Sequence, residues 1–177
     1  MKHEFLAYRY VGPHEIRQAA LSQPEGKRIR SLKDLSEWLD ANPDALREGA
    51  TFVVGLSGDL QLAPRRSEHV ACAKGAEVLA AGEIRFGRAV APRVAAVSNQ
   101  STGYCPDVTS WSATAHALAR AGLAAPNGFS HQIIFRRCPR CNEINLVKES
   151  WFVCVFCDSD LPNDWNIAER RTVTVSD

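Results

Sequence analysis

An α+β fold is what this 177-residue chain predicts: a small mixed α/β domain with antiparallel strands, followed by a compact cysteine-rich unit. Three observations carry that expectation. Between Pro13 and Gly49 the chain carries helix signals, whereas from Thr51 short apolar runs take over, set around glycine turns. Those runs come in two close pairs, the pattern of hairpins. Towards the C-terminus four cysteines appear as two close pairs, in a stretch with too few residues to bury a core of its own.

Taken in order, Glu4–Val11 is rich in Phe, Leu and Tyr and reads as a strand. Gly12-Pro13 turns the chain into a short helix, Pro13–Ser22, with proline at a favoured opening position. Gln23–Arg30 reads as a charged loop. Ser31-x-x-Asp34 resembles a capping box, and Leu32, Leu35 and Leu39 give the next helix one apolar stripe. Asn42-Pro43 starts a further helical turn that Gly49 ends. Thr51–Leu56 and Asp59–Ala63 flank Ser57-Gly58 as a hairpin, and Val78–Phe86 and Arg93–Ser98 form a second pair around Gly87-Arg88. Between the pairs, Arg65–Ala76 is a loop or short helix. Asn99–Asp107 is a polar loop. Thr109 or Ser110 caps a helix to about Ala121, with Trp111, Ala115 and Leu118 on its buried stripe and Gly122 as its stop. Gly128–Arg137 reads as a strand that feeds the first cysteine pair. Thr172–Asp177 reads as a frayed tail.

The cysteine pairs are Cys138-Pro-Arg-Cys141 and Cys154-Val-Phe-Cys157, with 12 residues between them. A C-x-x-C turn lets two sulfurs reach one ion, and zinc accepts four thiolates tetrahedrally. Asn142 and Asp158, directly after the pairs, tolerate the left-handed backbone that such a knuckle demands. The pattern is that of a zinc ribbon with structural zinc held by Cys138, Cys141, Cys154 and Cys157. Leu146–Lys148 and Trp151–Val153 are its expected strands, with Glu149-Ser150 at the turn. The expected division is an α+β domain over residues 1–135, the ribbon over 136–165 and a C-terminal tail over 166–177.

Charge narrows the partners. The net charge is +1, so neither nucleic acid nor a membrane surface is favoured globally. Phe135–Leu161 carries four basic residues (Arg136, Arg137, Arg140, Lys148) and four acidic ones (Glu143, Glu149, Asp158, Asp160). A zinc ion with four thiolates adds further negative charge, whereas a phosphate-binding module shows a positive surplus. The longest run without Asp, Glu, Lys or Arg, Ala121–Phe135, spans 15 residues and is broken by Pro126 and Gly128, short of the about 20 a membrane helix needs. With no export signal and four cysteines in zinc spacing, a cytoplasmic location is expected.

Gln61–Asn127 holds seven basic residues against four acidic ones. Within it, Leu60-Gln-Leu-Ala-Pro-Arg65-Arg66-Ser67, Ala80-Ala-Gly-Glu-Ile-Arg-Phe86 and Ser101-Thr-Gly-Tyr104-Cys-Pro106 follow one another. That order resembles a region of plant IQ-motif calmodulin-binding proteins and of some bacterial toxin-like proteins. There a Ser-Gly-His-Tyr-x-Pro-like loop follows an Ala-Gly strand; this chain has Gly103 where that pattern has histidine. The resemblance implies a shared fold segment. By chemistry, His69 would be an acid or base, Arg65 and Arg66 phosphate-binding cations, and Thr102 and Tyr104 hydroxyl donors. Cys72 reads as a small buried apolar residue and Cys105 as a loop thiol.

The leading expectation is an intracellular zinc-ribbon protein that binds another macromolecule, a protein rather than nucleic acid, and no membrane. The alternative is a small RNA-cleaving or nucleotide-processing enzyme with a site around Arg65, His69 and Tyr104.

Overall fold

The computed structural model describes residues 1–87 and 92–177. Along the chain lie β1 (Lys2–Ala7), α1 (His14–Ala20), β2 (Lys27–Ile29), α2 (Leu32–Ala41), α3 (Ala45–Glu48), β3 (Ala50–Gly55) and β4 (Leu60–Pro64). There follow α4 (His69–Cys72), β5 (Val78–Gly87), β6 (Arg93–Val97), α5 (Trp111–Arg120), β7 (Ile134–Arg137), β8 (Ile144–Val147) and β9 (Arg171–Ser176). Arg88, expected in the second strand pair's turn, lies outside the described residues. The mixture of helices and antiparallel strands is the α+β class that the sequence predicts.

A sheet in the order β2-β4-β3-β5-β6, antiparallel throughout, forms the centre. Its middle strand β3 is buried on both faces. Phe52 and Val54 point into one core with Leu62, Leu35, Trp38, Leu118 and Phe129. Val53 points the other way, into a core with Tyr8, Cys72, Ala81, Tyr104, Phe135 and Trp165. Alternation along a strand therefore serves two apolar layers at once. At Gly82 a Cβ would come within 1.9 Å of the Ser98 carbonyl oxygen, so only glycine lets the chain after β6 lie this close to β5.

The helices follow their local signals. Ser31 caps α2 by accepting a hydrogen bond from the Asp34 N–H at 3.1 Å, and Asp34 in turn accepts one from the Arg30 N–H at 2.8 Å. Gly49 and Gly122 both have positive φ where helices end. The buried stripe of α5 is shifted from the expected one: Ala113, Thr114, Ala117 and Leu118 are buried. Trp111 lies half-buried at its edge, its ring edge-on to Phe129 at 5.1 Å.

Four local expectations change. The charged loop over Gln23–Arg30 contains β2, an edge strand that buries Ile29 and leaves Lys27 and Arg28 in solvent. The strand expected over Gly128–Arg137 is ordered as β7 only from Ile134. The terminal segment is not frayed. It forms β9, which pairs with β1 from Lys2 opposite Ser176 to Ala7 opposite Arg171 and buries Val175. In the cysteine-rich unit β8 pairs with β7, whereas Val153 makes only an isolated bridge to Asp160. The Glu149-Ser150 turn is present, with both residues at positive φ and Trp151 N–H bonded to the Lys148 carbonyl at 2.9 Å. No helix among the described residues is long and apolar enough to cross a membrane.

Candidate metal centre

Strand β7 delivers the chain from the second core directly into Cys138. The two C-x-x-C turns then repeat one backbone pattern. Asn142 N–H bonds to the Cys138 carbonyl at 2.9 Å and Asp158 N–H to the Cys154 carbonyl at 3.0 Å. Asn142 and Asp158 both adopt positive φ, 65° and 57°. This closure points each pair of sulfurs inward, and the two pairs face each other.

All four sulfurs lie within 4.8 Å of one another, with Cys138 Sγ 3.6 Å from Cys157 Sγ and Cys141 Sγ 3.5 Å from Cys154 Sγ. Those gaps far exceed a disulfide bond of about 2.05 Å. They match a tetrahedral ion with sulfurs at about 2.3 Å, whose edges are about 3.8 Å. The donor set thus fits zinc. Neighbours orient the sulfurs of Cys154 and Cys157 and lower the cost of thiolate there. Asn145 is buried, sends its side-chain N–H to Cys154 Sγ at 3.5 Å and accepts the Val155 N–H at 2.9 Å. The hydroxyl of Ser159 lies 3.5 Å from Cys157 Sγ and, with its own backbone N–H, pulls the Cys157 thiol down to about 6. Among the described residues the apolar cluster here fully buries Cys138, Cys154 and Leu161, with Val147 and Phe152 partly covered, a small core that a bound metal would reinforce.

The arginine doublet beside the centre is spent on backbone. Arg136 bonds the carbonyls of Pro162, Phe135 and Asn163 at 3.0, 2.8 and 2.6 Å and sits over the Phe152 ring. Arg137 reaches the carbonyls of Asn142 and Ile167. Asn166 exchanges two hydrogen bonds with the Arg137 backbone, and the Trp165 indole donates to the Cys105 carbonyl at 2.8 Å. The Trp165 bond ties this segment to the loop before α5.

Of the residues singled out between Arg65 and Tyr104, Arg65 lies near His69, whereas His69 and Tyr104 bond different backbone carbonyls. His69 Nε2 lies 2.9 Å from the Gly82 carbonyl oxygen, and burial, with a smaller push from Arg65, brings its pKa down to about 4. Tyr104 is buried, donates to the Ala76 carbonyl at 2.6 Å, and has its phenol pushed up by burial. Arg65 pairs with Glu83 at 2.6 Å, Arg66 is exposed, and Thr102 is exposed with its carbonyl facing Cys105 Sγ at 3.2 Å. Among the described residues no hydrogen bond joins His69 to Tyr104. Cys72 and Cys105 are buried, and burial lifts both thiols to about 12, far from a reactive thiolate. At Gly103 a Cβ would meet the Tyr10 ring at 2.6 Å, so a histidine cannot stand there without displacing Tyr10.

A cleft of about 530 Å³ lined by Tyr8, Asp107, Thr109, Arg136, Trp165 and Arg170 joins residues from distant parts of the chain and so has no signature in the sequence. Nor does the sequence single out Asn145, although a polar residue between two cysteine pairs is a natural sulfur donor. Compared with known proteins, the chain matches no protein-family model, no curated protein and no solved structure, so the resemblance of the middle segment rests on its short motifs alone.

Proposed function

We propose that this protein is an intracellular, cytoplasmic protein-binding module, in which structural zinc at Cys138, Cys141, Cys154 and Cys157 shapes a docking surface on residues 136–165. The observation that carries this reading is the apolar exterior of that unit. Trp151, Val155 and Phe156 are 70%, 74% and 63% exposed, and Leu146 is 42% exposed. Large aromatic side chains on a rigid support are the usual anchors of protein interfaces. The metal holds the second knuckle, which carries Val155 and Phe156, while the tight Glu149-Ser150 turn leads straight into Trp151. Residues 1–135 serve as the scaffold, and six unpaired cysteines favour a reducing compartment.

Nucleic acid receives less support. Stacking aromatics grip a strand when cations track its backbone, and here Arg136 and Arg137 are turned inward onto carbonyls. The enzyme alternative around Arg65, His69 and Tyr104 is also weaker, since His69 and Tyr104 are each engaged by a different backbone carbonyl. The experiment is a photo-crosslinking residue placed at Trp151 or Phe156 in cells. A discrete protein adduct at either position, absent when the crosslinker stands on exposed Lys33 of α2, is the expected result. Crosslinks to RNA, or no adduct above the Lys33 control, would overturn the proposal.

A further inference from the structure

Apart from the cysteines, side chains from β1, α5 and the residue after β9 converge on one point. His3 projects from β1, His116 from α5, and Asp177 directly follows β9. Asp177 Oδ1 lies 3.2 Å from His3 Nε2 and 3.9 Å from His116 Nε2, and the two imidazole rings are 4.5 Å apart. One ligand atom from each residue falls within 4.8 Å of the other two.

Ordinary packing leaves this arrangement with an unmet need. His116 Nε2 is buried and has no hydrogen-bond partner, and its side chain is only 12% exposed. A buried nitrogen left this way is costly unless something binds its lone pair. Phe5 lies beside the cluster, with its ring 5.5 Å from that of His116, so the imidazole meets an apolar neighbour as well as the carboxylate. Neutral imidazoles with one carboxylate are the ligands of zinc and its borderline neighbours, not of magnesium or calcium, which prefer oxygen.

We propose that His3, His116 and Asp177 form a second metal site, for a divalent transition ion of the zinc class, independent of the four-cysteine centre. Three protein ligands leave a coordination position for water. An ion there clamps α5 to the β1–β9 pair through donors that belong to no single element. The site is more exposed than the cysteine centre, with His3 33% and Asp177 49% accessible, so it exchanges metal more readily.

The test is calorimetric titration of zinc chloride, near neutral pH, into the full chain already carrying one zinc at the cysteines. One further equivalent is expected, together with shifted His3 and His116 ring resonances in the NMR spectrum. His3→Gln and His116→Gln should each weaken that equivalent at least tenfold, and magnesium chloride should produce no heat of binding. Absence of a further equivalent overturns the proposal. So does one that both variants retain, or one lost with His3→Gln yet kept by His116→Gln. Should His116→Gln fail to fold, the ring shifts of the unaltered protein still decide. Cys154→Ser removes the first equivalent and leaves the second, which separates failure here from failure of the cysteine centre.

Discussion

Burial keeps the His69 imidazole uncharged while its Nε2 faces the Gly82 carbonyl. Its pKa is about 4 in the folded protein against an ordinary value of 6.5. Between those values the unfolded chain takes up a proton that the folded one refuses, so stability is lost as pH falls. The contribution is complete above about pH 6.5 and declines progressively towards pH 4. His69→Gln should therefore flatten the decline of denaturation midpoint over that window, as measured by urea melts at several pH values. An unchanged decline would remove His69 from the acid sensitivity. The same residue shows where the sequence stops being informative. Cysteine spacing declares a metal centre because the ligands specify one another, whereas His69, Arg65 and Tyr104 are only residue types until their partners are seen. The carbonyls of Gly82 and Ala76 that engage His69 and Tyr104 carry no signal in a sequence.

The elements divide along similar lines. Helix α2 and the β3–β4 hairpin were legible because their determinants are local: a cap at Ser31, a left-handed glycine at Gly58, a short apolar run on each side. Strand β9 reads as a tail by its position, although Thr172-Val-Thr-Val-Ser176 alternates as a half-buried strand should. What the alternation could not show was its partner, β1, at the other end of the chain. In the cysteine-rich unit the turn was found but the pairing was not, since β8 binds backwards to β7 across the first knuckle. Val175 is the buried anchor of β9, and Val175→Ala should cost about 2 kcal/mol through the cavity it leaves. Chemical denaturation measures this. A loss well under about 0.5 kcal/mol, the size of an ordinary surface substitution, would mean that β9 adds little to the core.

For the whole molecule, the two core layers on the central sheet contain none of the four clustered cysteines, whereas the cysteine-rich unit has little apolar interior besides them. Chelation should consequently act in two stages. Removing zinc at neutral pH should abolish amide protection at β8 and the Cys154–Asp158 turn while β3 and β5 stay protected. Hydrogen exchange followed by mass spectrometry resolves the two, and simultaneous loss in both regions would show that the metal supports the entire fold. The seam between β1 and β9 adds a property of time. Hairpins such as β3–β4 close over a few residues, but β1 cannot meet β9 until nearly the whole chain has been gathered, and long loops close late. The seam is accordingly expected to close late during refolding, and an ion held by His3, His116 and Asp177 would act as its latch, lengthening the native lifetime with little effect on the rate of collapse.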